Sequence, residues 1–523
     1  MKRITCSLIL LSFGALCMAN SYEDGVAKII DEGKNRNKAY NHLLHLTQKI
    51  GARLTGSPQA QKAGEWAVSQ FKSWGLQNAH LEQWGEMAVG SYRGPNNWAK
   101  MTLPYTKEMV FTTPAWSAGT NGPKKGHAVV EPKTMEEFEA VKDKLKGAWV
   151  LMNASAGMRG AGTLSEDAQK VAEAMNSAGI LGRVYGTGDE RVHTSGRFTG
   201  LEWDKRPTEV RVFVRKGDMD TARAYARIGQ KVELEINADN RWQKGPIPLY
   251  NVVADIPGTD KKDEMVIVCG HLDSWNGPGS QGANDNGTGT CVALEAARII
   301  AKSGVKPRRT IRFILWTGEE QGLLGSRGYV EKHKDELPKI SAVLNDDGGT
   351  NYQGGYNILA NMAEMMNAAI APVQKAFPEL EMENTVVQRI EAGGSSDHAP
   401  FAWEGVPAFF TKEKGKANYG FVWHTQNDRP ENSIPEYMTQ SSTNHAAVAY
   451  YLAMHDQMLP HFPKPERTGR NLALAEAIGN ARMYEPGFDF HDHKDGNHDH
   501  EDDWWLYVID VLTRTQRAVR YIR

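Results

Sequence analysis

The sequence predicts an α/β protein in which a mixed, mostly parallel sheet is sandwiched by helices. Apolar runs rich in β-branched residues recur through the second half of the chain, and helical patterns such as 290–302 lie between them. Strands that alternate with helices are typical of a sheet with helices on both faces. The predicted strands are 250–255, 264–270, 310–317, 341–346 and 406–411.

The composition limits the class of protein. The chain has 523 residues, of which 40% are hydrophobic, so it can fill several packed cores and is not a disordered chain. Lysine and arginine number 61 against 63 aspartate and glutamate residues, which gives a net charge of -2. Because there is no basic excess to attract phosphates, we expect no nucleic-acid partner.

Changes of pattern along the chain predict two domains. Helical spacing over 22–74, with turn-forming residues at 51–57, leads into the main domain. Later, short β-type runs alternate with helical stretches, which indicates a separate α/β insert. We therefore expect a catalytic domain built from 20–119 and 245–460, interrupted by an insert at 120–244.

Both ends of the chain have their own composition. The apolar run 4–16 follows Lys2 and Arg3 and precedes small residues, which is typical of a cleaved secretory signal peptide over 1–19. The run is too short for a stable membrane span, so we expect a protein exported to the periplasm or the extracellular space. The last segment, 461–523, is a C-terminal extension that contains a His/Asp-rich stretch, either a weak zinc store or a soluble spacer.

Metal-competent side chains directly follow three of the predicted strands. In open α/β sheets, ligands bind in the crevice outside the carboxyl ends of the strands, so we expect these side chains to converge there. Asp285, in the glycine-rich stretch 279–289, adds a further carboxylate. The residues that follow the strands are His271 and Asp273, Glu319 and Glu320, and Asp346 and Asp347.

Glu319 and Glu320 are adjacent, and two buried carboxylates repel each other unless cations neutralise them or one takes a proton. A dinuclear zinc site would provide that neutralisation, with one carboxylate as a ligand and its neighbour as a base. In an extended segment, His271 and Asp273 point to the same side of the backbone. His271 can therefore bind a metal while Asp273 orients a ligand from behind.

The residues around these positions resemble the co-catalytic di-zinc exopeptidases of the aminopeptidase family. The similarity spans roughly 40–460 and includes an insert that resembles a protease-associated domain. It implies a phosphorylase/hydrolase-like α/β fold for the catalytic domain. The motifs that carry it are GHLDSW (270–275), GANDNGTG (282–289), LWTGEEQGLLGS (315–326) and the Asp-Gly-Gly of 347–349, with a later His424.

The resemblance also implies a role for each site residue. Asp285 would bridge two Zn²⁺ ions, and Glu319 would be the general base that passes a proton from water to the leaving amine. Asp346 is a rival for the role of Asp347, and His398 for that of His424. The implied metal ligands are His271, Asp285, Glu320, Asp347 and His424.

These expectations define a secreted zinc exopeptidase that acts on short peptides or dipeptides. Which end of the peptide is recognised stays open between the anionic Glu413 and Asp428 and the cationic Lys412 and Arg389. A non-catalytic, receptor-like relative and a one-zinc relative of glutaminyl cyclase are the alternatives. Dimers are common in the family, which leaves the state open between monomer and homodimer.

Overall fold

The structure is a computed structural model that describes residues 22–155, 166–198, 200–390 and 396–465. The predicted signal peptide and the His/Asp-rich stretch lie outside the described residues and stay predictions. Among the helices that the structure describes, none has the length and apolar character needed to cross a bilayer. The chain separates into two compact units: the first holds the chain up to Met87 and again from Pro246, and the second holds Ala88–Gly245.

The described helices and strands follow one another along the chain. The helices are α1 (22–35), α2 (Ala39–His45), α3 (Pro58–Ser73), α4 (Met135–Val141), α5 (Glu166–Ser177), α6 (Lys216–Arg227), α7 (Thr288–Ser303), α8 (Leu324–Lys332), α9 (Ala363–Ala376), α10 (Ala399–Ala402), α11 (Tyr419–Val422) and α12 (Pro435–Met454). The strands are β1 (Gln77–Arg93), β2 (Trp98–Leu103), β3 (Lys107–Met109), β4 (Phe111–Thr112), β5 (Lys124–Val130), β6 (Trp149–Ser155), β7 (Gly182–Gly186), β8 (Arg211–Val214), β9 (Glu233–Asn237), β10 (Asn240–Ile256), β11 (Lys261–His271), β12 (Arg309–Trp316), β13 (Ile340–Asn345), β14 (Tyr352–Ile358), β15 (Thr385–Val386) and β16 (Ala408–Lys414).

The sheet of the first unit is mixed, with a parallel centre. Its order is β1-β10-β12-β11-β13-β16-β14-β15. Strand β11 pairs in parallel with both β12 and β13, and β13 pairs in parallel with β16. The flanking pairs β10·β12 and β14·β16 are antiparallel. The predicted mixed, mostly parallel sheet is therefore confirmed, and the central parallel strands all end at the same edge.

Helices cover both faces of this sheet. Along β11, Val266 and Val268 belong to one buried cluster and Ile267 and Cys269 to the other, as the alternation of side chains along a strand requires. Helices α7 and α12 fill the first face, and every residue of α7 from Thr288 to Ile300 is buried. Such a strand is apolar on both sides, which is why its sequence is a continuous hydrophobic run.

Helix α3, which packs on the first face, is well capped at its N-terminus. Ser57 accepts a hydrogen bond from the backbone amide of Ala60, and Pro58 takes the first helical position of α3. The segment 51–57, predicted to be a turn, is indeed non-helical and joins the short helical stretch after α2 to α3. Trp316, at the end of β12, is fully buried, as its position in a central strand predicts.

The second unit has its own sheet, in the order β3-β2-β9-β5-β6-β7-β8-β4. Its core includes Trp149, Leu151 and Val212. This unit begins at Ala88, earlier than the insert boundary expected near 120, because β2 and β3 belong to the sheet of β9. Its assignment as a protease-associated domain stays a prediction.

Candidate metal centre

The predicted site residues lie at the carboxyl edge of the first unit's sheet. His271 ends β11, the pair Glu319-Glu320 follows β12, and Asp347 follows β13. Asp285 lies in a tight turn, Ala283–Gly287, that leads into α7. His424 comes two residues after the short helix α11. Five separate chain segments therefore bring their polar side chains to one place, as the strand exits predict.

The first group of candidate ligands surrounds His271. Its Nε2 atom lies 3.1 Å from Oδ1 of Asp347 and 3.4 Å from Oδ1 of Asp285. All three side chains are buried, and they can each offer one atom to a common centre. One imidazole nitrogen and two carboxylate oxygens thus form a compact cluster of metal-ligand type.

The second group surrounds His424. Its Nε2 atom lies 3.0 Å from Oε2 of Glu320 and 3.2 Å from Oδ2 of Asp285. Asp285 therefore belongs to both groups, with one carboxylate oxygen towards each histidine. This is the arrangement of a bridging ligand.

One buried oxygen of this cluster, Oε1 of Glu320, accepts no hydrogen bond from the described residues. Burying a carboxylate oxygen without a partner is costly unless a cation satisfies it. Two groups of imidazole nitrogens and carboxylate oxygens that share one carboxylate suit a pair of Zn²⁺ ions. The residues present therefore fit the two metal ions that the sequence resemblance implies.

The charges of the cluster change the proton affinities of its members. Burial lowers the pKa of His424, but Glu320 and Asp285 outweigh this effect and raise the pKa to about 10. Burial and the charge of Asp285 raise the pKa of Glu320 to about 7. Burial would also lower the pKa of His271, yet the carboxylates of Asp347 and Glu319 hold it well above its usual value. Metal ions that bind these residues would displace protons from them.

Glu319 lies beside the two groups but belongs to neither. Its Oε2 atom is 3.8 Å from Nε2 of His271, and its side chain is 13% exposed. Burial, followed by the charges of Asp347 and Asp397, raises its pKa well above the usual value despite the opposing effect of His271. Because Glu319 borders the candidate ligands and belongs to neither group, its position suits proton transfer rather than coordination.

Asp273 lies beneath the centre and connects two of its segments. Nδ1 of His271 donates to the backbone carbonyl of Asp273 at 3.0 Å, which leaves Nε2 free of a proton in the neutral ring and directed at the centre. The carboxylate of Asp273 accepts from the backbone amides of Glu319 at 3.3 Å and Glu320 at 3.4 Å. It also accepts from Oγ1 of Thr55 at 2.8 Å.

The two rival residues lie outside both groups. Asp346 points away from the cluster and accepts from Nε2 of Gln353 at 2.6 Å. His398 is buried with its ring 5.5 Å from the ring of Phe410, and its pKa is lowered by burial to about 4. The geometry therefore brings together Asp347 and His424 rather than Asp346 and His398.

The four candidates for recognition of a peptide end differ in their surroundings. Lys412 donates to the carbonyl of Glu383 and to Thr385, and the Asp428 carboxylate accepts from Asn284. Arg389 is exposed. Glu413 differs from these, because its Oε2 atom is buried and accepts no hydrogen bond within the described residues. Its side chain lies against Gly348, the residue after Asp347, where an added Cβ would meet Cγ of Glu413 at 1.8 Å.

Aromatic rings flank one side of the centre. The ring of Trp423 stacks on that of His424 with 4.2 Å between centroids, and Trp275 contacts His424 edge-on at 6.1 Å. The sequence did not single out Arg53 and Thr55, which bond to the site's segments from 218 or more residues away. A local pattern contains no signal for such bonds.

Two groups of histidine and carboxylate side chains at the carboxyl edge of an α/β sheet are typical of a metalloenzyme. Residues 251–449 match the model of peptidase family M28, and this match assigns the protein to the metallopeptidases. It is 27% identical to carboxypeptidase Q of Mus musculus over 452 residues, which cover 84% of this chain and 91% of the relative. It is 35% identical to a probable leucine aminopeptidase of Arthroderma otae over 190 residues, which cover 34% of this chain and 50% of the relative.

The fold has a counterpart among solved structures. A peptidase M28 precursor from Shewanella amazonensis SB2B aligns with a TM-score of 0.60 and 24% identity, over 84% of this chain and 98% of that one. The predicted fold class is therefore confirmed. The predicted resemblance to the aminopeptidase family is confirmed as well.

Proposed function

We propose that this metallopeptidase is an exported two-zinc exopeptidase that hydrolyses short peptides or dipeptides, with Glu319 as its general base. The observation that carries the proposal is the position of Asp285, whose two oxygens face His271 and His424 separately. A single-metal centre has no need of a carboxylate shared in this way. The apolar run 4–16 supports export.

Zinc ions held by the two groups would supply Lewis acidity that lowers the pKa of a water molecule and polarises the peptide carbonyl. Glu319 then takes the proton from that water and delivers it to the leaving amine. Its backbone amide is fixed by Asp273, so the carboxylate starts from a defined position. Asp273 also orients His271 through its own carbonyl, and we assign it a positioning role.

We infer that the amino end of the peptide is the recognised end. Glu413 carries a buried carboxylate oxygen without a hydrogen-bond partner next to the segment of Asp347, and a substrate ammonium group would satisfy it. The cationic candidate Lys412 is already bonded to Glu383 and Thr385. Carboxyl-end cleavage is the second candidate, and the similarity to carboxypeptidase Q favours it.

Product analysis distinguishes these functions. The zinc-loaded protein is incubated with one tetrapeptide in free, amino-blocked and carboxyl-blocked forms, and with free dipeptides, and the products are identified by mass spectrometry. We expect the free and carboxyl-blocked forms to lose residues from the front and the amino-blocked form to stay intact. Trimming of the amino-blocked form from the back would establish carboxypeptidase action instead.

Two further outcomes bear on the proposal. Cleavage of dipeptides alone would define a dipeptidase. No cleavage of any form by protein that contains two metal ions would contradict the catalytic proposal and favour a receptor-like role. The matched control is Glu319→Gln, which removes the base while it keeps the size of the side chain.

A further inference from the structure

Arg53 is a buried cation directly behind the candidate metal centre. Its side chain has no exposed surface, and its guanidinium donates only to backbone carbonyls in the part of the chain that the structure describes. Nε donates to Leu272 at 2.6 Å, Nη2 to Gly282 at 2.7 Å and Nη1 to Gln281 at 3.2 Å. A buried arginine is usually paired with a carboxylate, so this choice of partners is unusual.

The carbonyls that Arg53 binds belong to two different ligand segments. Leu272 directly follows His271, whereas Gln281 and Gly282 precede Asp285 by three or four residues. The planar guanidinium of Arg53 therefore links the segment of His271, at the end of β11, to the segment that leads to Asp285. Nε2 of His271 and Oδ1 of Asp285, one from each of these segments, lie 3.4 Å apart.

The backbone of Arg53 strengthens the same connection. Its amide donates to Oγ of Ser274 at 3.0 Å, and the amide of Ser274 donates to its carbonyl at 3.2 Å. Gly282 has a positive φ of 60°, and a Cβ there would lie 2.1 Å from Oγ of Ser274. The two ligand segments are thus packed directly against each other, with Arg53 beside them.

Thr55, two residues further on, extends this connection to a third segment. Its Oγ1 donates to Asp273 at 2.8 Å and accepts from the amide of Gly318 at 3.2 Å. Asp273 in turn holds the amides of Glu319 and Glu320. Arg53 and Thr55 therefore bond to the chain segments that carry His271, Asp285 and Glu319. Neither of the two is itself a candidate ligand.

We propose that Arg53 and Thr55 are positioning residues that set the spacing of the two metal subsites. Arg53 fixes the segment of His271 relative to that of Asp285, and Thr55 fixes the segment of Glu319 and Glu320 relative to Asp273. The proposal rests on the two-zinc function above and deepens it, because it assigns the geometry of the pair of ions to residues outside the ligand set.

The test compares Arg53→Lys with Arg309→Lys. Arg309 is the matched control, since it is also buried in the first unit and also donates to backbone carbonyls, those of Leu452, His455 and Asp456, with Glu264 as a further partner. It stands at the start of β12, at the opposite end from the site. Lysine keeps the charge in both variants but cannot reproduce the planar fork.

The measurements are the Co²⁺ absorption spectrum, Zn²⁺ affinity by competition with a chelator, and the melting temperature of the metal-free protein. We expect Arg53→Lys to weaken binding of at least one ion by about tenfold or more and to change the Co²⁺ bands, in the range seen when supporting residues of metal sites are altered. Arg309→Lys should lower the melting temperature while its metal affinities and spectrum match those of the unaltered protein.

Equal losses of melting temperature with unchanged metal affinities and spectra in both variants would overturn the proposal. If Arg53→Lys does not fold, Thr55→Val provides the test, because it removes one hydroxyl and keeps the shape of the side chain. A lower kcat with an unchanged KM and an altered Co²⁺ spectrum would support the proposal. An unaltered kcat and an unaltered spectrum would refute it. Failure of the unaltered protein to bind two ions would instead refute the two-zinc function.

Discussion

Nε2 of His424 lies 3.0 Å from Oε2 of Glu320, and the two side chains come from segments more than 100 residues apart in the chain. With Asp285, they form the group that we assign to one of two metal ions.

Replacement of Glu320 by glutamine tests this assignment. Glu320→Gln keeps the size of the side chain but removes the charge that a zinc ion would pair with. We expect the affinity for one ion to fall by more than about 100-fold while the other ion is retained, since loss of even a supporting residue costs about 10- to 100-fold. Metal content after dialysis measures the result, and two retained ions would contradict it.

Replacement of Glu319, the neighbour of Glu320, should lower turnover and leave the metal content unchanged. Glu319→Gln removes the proposed base but no ligand, so both ions should stay bound while kcat falls by about 10² to 10⁴-fold. The check is metal content together with turnover of a short peptide. Loss of an ion from Glu319→Gln would mean that a ligand had been assigned as the base.

A buried ion network stabilises the first unit away from the centre. Arg298 donates to both oxygens of Glu295 at 2.8 Å and to Glu32 at 2.6 Å, and Glu295 is fully buried. Arg298→Met would remove the arginine partner of that carboxylate and leave it with the amide of Lys38 at 2.9 Å and Nε2 of His42 at 3.2 Å, and we expect a loss of about 3 kcal/mol in the free energy of unfolding. Denaturant titration of the metal-free protein measures the change.

Arg308 provides the control for this prediction. It binds Asp260 and Asp456, whose side chains are 55% and 77% exposed, so Arg308→Met should cost less than about 1 kcal/mol. Similar losses in the free energy of unfolding for Arg298→Met and Arg308→Met would show that burial of the partner carboxylate does not determine the loss.

His333 makes stability depend on pH. Its hydrogen bonds to Glu336 and Glu82 raise its pKa from 6.5 to about 9. A group whose pKa is raised by folding stabilises the protein fully below its unfolded pKa, and this contribution disappears as pH rises from about 6.5 to 9. We expect the loss over that window to be about 1 to 2 kcal/mol, since the pair is partly screened by solvent.

His333→Gln removes the titrating group and should remove this part of the pH dependence. The measurement is the free energy of unfolding at pH 6.5 and 9 for both proteins. A variant that loses as much stability as the unaltered protein over this window would exclude His333 as the cause.

The central strands could be predicted from the sequence, and some flanking ones could not. The run 264–270 lies within β11 because a strand buried on both faces must be continuously apolar. Strand β14 (YQGGYNI) was not predicted, since its two glycines and polar residues lack that pattern. It forms through antiparallel pairing with β16 and is buried by α12 and its neighbours, which only the folded chain supplies.

The same division holds for the site. The candidate ligands were predictable because each follows a strand or belongs to the motif set. Arg53 lies in the segment 51–57, whose sequence predicts only a turn. Its bonds to Leu272 and Gly282 cross 219 and 229 residues. Likewise, β2 pairs with β9 across more than 100 residues, and this pairing places β2 in the second unit. That unit therefore begins at Ala88, before the boundary near 120 that the sequence predicts.

The most direct test of the account is anomalous diffraction at the zinc absorption edge from crystals of the zinc-loaded protein. We predict two peaks, one within the group of His271 and Asp347 and one within the group of Glu320 and His424, with Asp285 contacting both. A single peak, or two peaks that do not share Asp285, would contradict the proposed two-metal centre.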